Sequence, residues 1–153
     1  MTELAPKPDH CTCSAIRKAA RHVTQHYDRH LAPVGITVNQ YGILARIAGL
    51  GPIPINRLAA RLFMDRTTLG RTLRPLEREG LVRIEPDPDD KRRRGLVVTE
   101  AGRALLDQAR PLWAEAQSRF AEAYGPEEDA ALRVTLAGLL ATDLATPEPR
   151  PAR

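Results

Sequence analysis

Residues 64–100 read MDRTTLGRTLRPLEREGLVRIEPDPDDKRRRGLVVTE, and this stretch decides the fold. At 100° per residue, Leu69, Leu73 and Leu76 fall on one side of a helix. Thr67, Arg71, Arg74 and Arg78 fall on the other, with no acid among them. The leucines can seat the helix on a core while the far side presents a hydroxyl and three guanidinium forks. Asp65 is a good N-cap, and Gly80 is the kind of residue that ends a helix. Pro75 removes one amide donor, which predicts a kink or a tightened last turn that bends Arg78 away and leaves Arg71 the better base reader. A short β-type run over 81–84 follows, then a loop over 85–90. Four consecutive cations come next, Lys91, Arg92, Arg93 and Arg94, and a second β-type run over 96–98. Helix, strand, basic turn and strand are the parts of a winged helix. Such a helix fits a DNA major groove, and a basic hairpin tip can reach phosphates or the neighbouring minor groove.

Working outward, Leu58, Ala59 and Leu62 share the inward side of a short helix over 55–62. Phe63 and Met64 bridge it to Asp65, so the two helices make a helix-turn-helix whose second member is the recognition helix. Before them, Thr37 with Gln40 forms a capping box and Ile36 with Tyr41 a hydrophobic staple, starting a helix that reaches about Gly49. A first helix is expected over 14–31, capped by Ser14, with Ile16, Ala20, Val23, Tyr27 and Leu31 at steps of four and three. After the wing, Thr99 and Glu100 open a long helix striped by Leu105, Ala109, Leu112, Ala116, Phe120 and Ala123, with Trp113 beside them and Pro111 expected to bend it. That stripe is longer than so small a domain can cover alone. Gly125 and Pro126 separate a last helix, with Glu127, Glu128 and Asp129 in its first turn and Leu132, Leu136, Leu139, Leu140 and Leu144 as its apolar residues. Residues 1–9 and 146–153 are polar and proline-marked, and are expected to be flexible tails.

With 153 residues the chain suffices for one core and not for two independent ones. Between residues 56 and 94 there are eleven Lys and Arg against seven Asp and Glu, a surplus that equals the whole chain's net charge of +4. The basic character therefore sits where a DNA interface needs it. Aromatic residues make up only 4%, which argues against a base-stacking platform for RNA or single strands. No apolar run approaches a membrane span, the start MTELAPKPD is no signal peptide, and two cysteines fit a reducing cytoplasm. No G-x-S-x-G, phosphate-binding glycine loop or suitably placed acid pair occurs, so an enzyme is not expected.

Two motifs carry a resemblance. Asp90, Arg92, Leu96, Val98, Thr99 and Gly102 meet the pattern D-x-R-x-x-x-L-x-[LV]-T-x-x-G. Leu58, Ala59, Leu62, Thr68, Arg71, Leu73, Leu76, Glu77, Gly80, Leu81 and Val82 meet L-A-x-x-L…T-x-x-R-x-L-x-x-L-E-x-x-G-L-V. Over roughly residues 14–142 the chain resembles the MarR (multiple antibiotic resistance regulator) family. The resemblance implies a mainly α fold with a small two-stranded β wing, as one domain over 1–153. Residues 37–98 would form the winged helix-turn-helix, and 14–31 with 99–144 a helical dimerisation platform. It implies a homodimer that binds a pseudopalindromic operator in double-stranded DNA, represses transcription, and is released by an unidentified effector taken in the cleft between platform and winged domain. In the family the arginine of the D-x-R motif enters the minor groove and the aspartate orients it, which carries over to Arg92 and Asp90. Lys91, Arg93 and Arg94 are expected on phosphates, and Arg66, Thr67, Thr68, Arg71, Arg74 and Arg78 along the recognition helix. No cofactor is implied.

Cys11 and Cys13 stand outside this unit. They read as ordinary packing residues or as a redox pair, because a thiol at a helix N-terminus can become reactive and some MarR-like proteins sense oxidants near the start of helix one. The tyrosine-rich surroundings of the family's peroxide sensors are absent. A metal-responsive regulator is the third reading, with His22 and His26 four residues apart on a helix beside the cysteines. The glutamate of a metalloprotease motif is missing, and a solvated or dimer-facing histidine stripe is the better account of the spacing. A winged helix used only for protein contacts is the remaining rival, and it would leave the arginine face without a role.

Overall fold

The computed structural model describes residues 11–86, 90, 92 and 94–144. The elements are α1 (Thr12–Leu31), a single 3-10 turn (Ala32–Val34), α2 (Val38–Leu50), α3 (Ile55–Arg61), α4 (Arg66–Arg78), β1 (Val82–Pro86), β2 (Arg94–Val98), α5 (Glu100–Tyr124) and α6 (Pro126–Ala141). The fold is mainly α with one two-stranded wing, as the sequence implied. The chain divides into two compact units, one ending at Ala116 and the other beginning at Gln117. The expected tails at 1–9 and 146–153 lie outside the described residues.

The first unit is built on a core where α2, α3, α4 and the wing meet. Ile43, Leu44 and Ile47 of α2, Leu58 and Ala59 of α3, and Leu69, Leu73 and Leu76 of α4 are buried together with Val82, Leu96 and Val98 of the strands. The capping box at Thr37 forms in both directions, with Gln40 N donating to Thr37 Oγ1 and Thr37 N to Gln40 Oε1. A satellite cluster of Leu31, Ile36 and Ala109 is joined by Tyr41, Leu112 and Trp113, so the expected staple partners Ile36 and Tyr41 share one apolar cluster. Burying a Leu or Ile side chain contributes about 1.5–3 kcal/mol, so these residues are the main hold on the winged helix.

The end of α4 shows how sequence becomes joint. Gly80 has φ +71°, the left-handed conformation that glycine adopts without steric cost. Gly80 N donates to Glu77 O and Leu81 N to Leu76 O, which together are a Schellman motif, and Leu76 and Leu81 are both buried beneath it. Thr99 then closes the joint. Its Oγ1 donates to Gly80 O at 2.6 Å and accepts from Gly102 N at 3.1 Å, capping α5, while its own amide donates to Leu81 O. A Cβ at position 102 would lie 2.2 Å from Leu81 O, so only glycine allows this approach. A Cβ on Gly95 would likewise lie 2.9 Å from Ile53 N, which is what lets Ile53 bridge to Leu96 at the wing base.

Several boundaries differ from expectation. α1 starts at Thr12, with Ala15 N donating to Cys11 O, so Ser14 lies inside the first turn and is not the cap. α4 continues through Pro75 to Arg78, with Glu79 N donating to Pro75 O. β1 extends to Pro86 and β2 begins at Arg94. Glu85 pairs with Gly95 and Pro86 with Arg94, so these residues are strand and not loop. Antiparallel pairing overrides the weak β-propensity there, and a proline at the end of an edge strand forfeits little. Leu144 falls beyond the end of α6.

On the other side of the first unit, His26 Nε2 donates to Ala116 O at 2.8 Å, tying α1 to α5. Asp28 Oδ1 accepts from Val38 N at 2.7 Å, tying α1 to the start of α2. In the second unit, the end of α5 faces the start of α6 through Asp129. Asp129 is 5% exposed, and its carboxylate accepts from Gln117 Nε2 at 3.2 Å and from Arg133. Val134, Leu136, Leu139, Leu140 and Leu144 are exposed.

Candidate nucleic-acid interface

Asp65 sets where the recognition helix begins. Its Oδ1 accepts from Thr68 N at 2.8 Å and its Oδ2 from Thr68 Oγ1 at 2.5 Å, and these bonds hold its carboxyl below the usual aspartate range. From there the heptad-like spacing sorts α4 into two faces. Leu69, Leu73 and Leu76 are buried, and Arg66, Thr67, Thr68, Arg71, Arg74 and Arg78 are exposed. The two threonines are not equivalent, since Thr68 spends its hydroxyl proton on the cap. Phe63, in the turn before Asp65, has φ +52° and is 70% exposed.

On the wing, Asp90 Oδ1 accepts from Arg92 N at 3.0 Å. The aspartate of the D-x-R motif thus fixes the backbone of its arginine, whose side chain is exposed. Arg94 is exposed at the start of β2, while Lys91 and Arg93 lie outside the described residues. Arg83 is paired with Glu85 at 2.5 Å across the outer strand face, so its charge is locally compensated. Between the wing and the helices lies a groove of about 400 Å³, lined by Pro54, Ile55, Asn56, Arg66, Ile84 and Arg94 among others. Asn56 was not singled out in the sequence. The signal was its place at the start of the first helix of the helix-turn-helix, which crosses the DNA backbone in such motifs.

Cys11 and Cys13 are exposed free thiols at the cap and in the first turn of α1. His22 is exposed and His26 is half-buried on its bond to Ala116. Among the described residues no three metal-binding side chains converge, and no helix is long and apolar enough to cross a membrane. Tyr41 and Trp113 stack at 5.8 Å on the flank between α2 and α5. Burial raises the Tyr41 phenol above its usual pKa, and the charge of Arg110 opposes that rise.

Comparison with known proteins agrees with this geometry. The model of the MarR family matches residues 34–93, from the turn before α2 into the wing. The transcriptional regulator HosA of Escherichia coli O111:H- is 32% identical over 120 residues, covering 74% of this chain and 89% of HosA. The crystal structure of the Mycobacterium tuberculosis regulator MosR in complex with DNA superposes with a TM-score of 0.72 at 36% identity, over 88% of this chain and all of that one. A mutant MarR from E. coli complexed with operator DNA gives 0.73 at 26% identity, over 82% of this chain and 91% of that one.

Proposed function

This chain belongs to the MarR family of DNA-binding transcriptional regulators, and on that premise we propose that it is a homodimeric repressor released from a pseudopalindromic operator by an effector. α4 enters the major groove, where Thr67 and Arg71 read base edges and Arg66, Arg74 and Arg78 position the helix on phosphates. Thr68 acts as the cap partner and not as a base contact. Arg92 enters the adjacent minor groove from a turn that Asp90 holds, and Lys91, Arg93 and Arg94 flank it on phosphates. The observation that carries this reading is one helix with three fully buried leucines on one face and Thr67, Arg71, Arg74 and Arg78 exposed opposite them, set beside a wing with an exposed arginine.

The exposed apolar residues of α6 support dimerisation, because large apolar side chains left in water gain free energy when a partner covers them. A dimer that covers the operator excludes other proteins from it, which makes repression its simplest effect. For the effector, the exposed Cys11 and Cys13 favour an oxidant, with Cys13 attacking and Cys11 of either subunit resolving. Peroxide takes up the two electrons as the disulfide forms and water leaves. The Tyr41–Trp113 flank favours a small planar molecule as the other reading. A titration of binding to random duplex against salt tests the core of the proposal. Affinity should fall steeply with a slope near −0.9 per phosphate contact, on the order of six to ten contacts in all, and salt-independent or absent binding overturns it.

A further inference from the structure

Ile84 is 48% exposed although it pairs with the buried Leu96 and so shares the inner face of the hairpin. It overhangs the groove of about 400 Å³ with Pro54 and Ile55, and Arg66, Arg94 and Asn56 line the same space. Two guanidinium groups border one groove with no acid among its described lining residues, so an anion between them lowers the electrostatic energy. Asn56 can add one amide donor. The combination of two cations, an amide and an exposed apolar side chain matches a group that is itself half anionic and half apolar. A deoxyribose with its phosphate is such a group. The groove also runs between the first residue of α4 and the first residue of β2, and in the proposed binding mode these elements occupy adjacent major and minor grooves. What separates a major from a minor groove is a sugar–phosphate strand.

We propose that this groove seats one backbone phosphate and its deoxyribose, with Arg66, Arg94 and Asn56 on the phosphate oxygens and Ile84 against the sugar. It rests on the DNA-binding mode above and adds to it a fixed point of register, since a phosphate contact positions the protein without reading sequence. The test uses the whole protein and a duplex selected from a random pool, with each phosphate in turn replaced by an uncharged methylphosphonate. At one position per half-site the replacement should weaken wild type about tenfold, but the Arg66→Gln/Arg94→Gln double variant no more than about twofold, its salt slope being already lower by about two units. Ile84→Ser should weaken binding about threefold with the salt slope unchanged. Both arginines are exposed, and Arg94→Gln alone serves if the double variant loses its helical signal. Equal sensitivity of wild type and variant at every phosphate overturns the proposal. So does benzoate that, at constant ionic strength, displaces duplex from wild type and not from the variant, because the groove would then be a seat for a small carboxylate. If no duplex is selected at all, the binding mode itself falls, which is a distinguishable result.

Discussion

Thr67 and Thr68 share a residue type and a helix turn, yet the structure gives them different work. Thr68 is committed to Asp65, so Thr67 and Arg71, four residues on, form the pair that faces outward unencumbered. Arg71→Ala should relax discrimination at one base position by about 1–3 kcal/mol. Arg93→Ala should weaken all duplexes alike and lower the salt slope by about one unit. The same profile for both variants across a panel of operator variants would contradict the division of labour. Asp65 adds a pH dependence of known sign. Its carboxyl titrates lower in the folded chain than its ordinary value of 3.8, so the cap stabilises fully above that value and fades as pH falls through the lowered one. Acid titrations of urea midpoints should show wild type losing ground to Asp65→Asn below pH 3.8, and parallel curves would contradict the cap. Phe63 holds a left-handed φ without being glycine. Phe63→Gly should therefore leave the denaturation midpoint unchanged or raise it, by up to about 1 kcal/mol, and a clear loss would mean the ring packs in a way its exposure does not suggest.

At the scale of elements, the joint between α4, the wing and α5 rests on the Thr99 hydroxyl, the Leu81 carbonyl and the bare Cα of Gly102. Gly102→Ala drives a methyl into Leu81 O and should cost about 1–3 kcal/mol or more, seen as a lower thermal midpoint. Thr99→Val, which keeps the shape and removes the hydroxyl, should cost about 1–2 kcal/mol. If both variants melt like wild type, the joint does not hold the wing. Much of this architecture is legible in sequence because it is local. The leucine spacing of α4, the Thr37 capping box and the Gly80 stop each depend on residues within one or two turns. What escapes is set by contacts across the chain. The strand ends at Pro86 and Arg94 are fixed by pairing with each other, and the groove under the wing joins α3, α4 and both strands. Ser14 misleads for a different reason, since Cys11, three residues earlier, takes the extended cap conformation and the helix closes on its carbonyl. The arginines proposed for the interface form a pattern legible in the sequence, whereas the bond that ties Thr68 to Asp65 had to be seen in the structure.

For the whole molecule, the second unit keeps Asp129 buried and leaves Tyr124, Val134, Leu136, Leu139, Leu140 and Leu144 exposed. A chain of 16.9 kDa with that surface should sediment at twice its mass at micromolar concentration, with two recognition helices reading half-sites about 10 base pairs apart. A stable folded monomer would remove the dimer from the proposal. Within the first unit, the bonds from Thr99 to Gly80 and Leu81 have a mechanical meaning. They weld the root of a long helix to the trailing end of the recognition helix, so α5 is a crank whose shaft is fixed to the part that grips DNA. A crank has no slack at its root. A push on the first turns of α5 is passed through Thr99 to the end of α4 and the base of the wing, with no loop between them to absorb it.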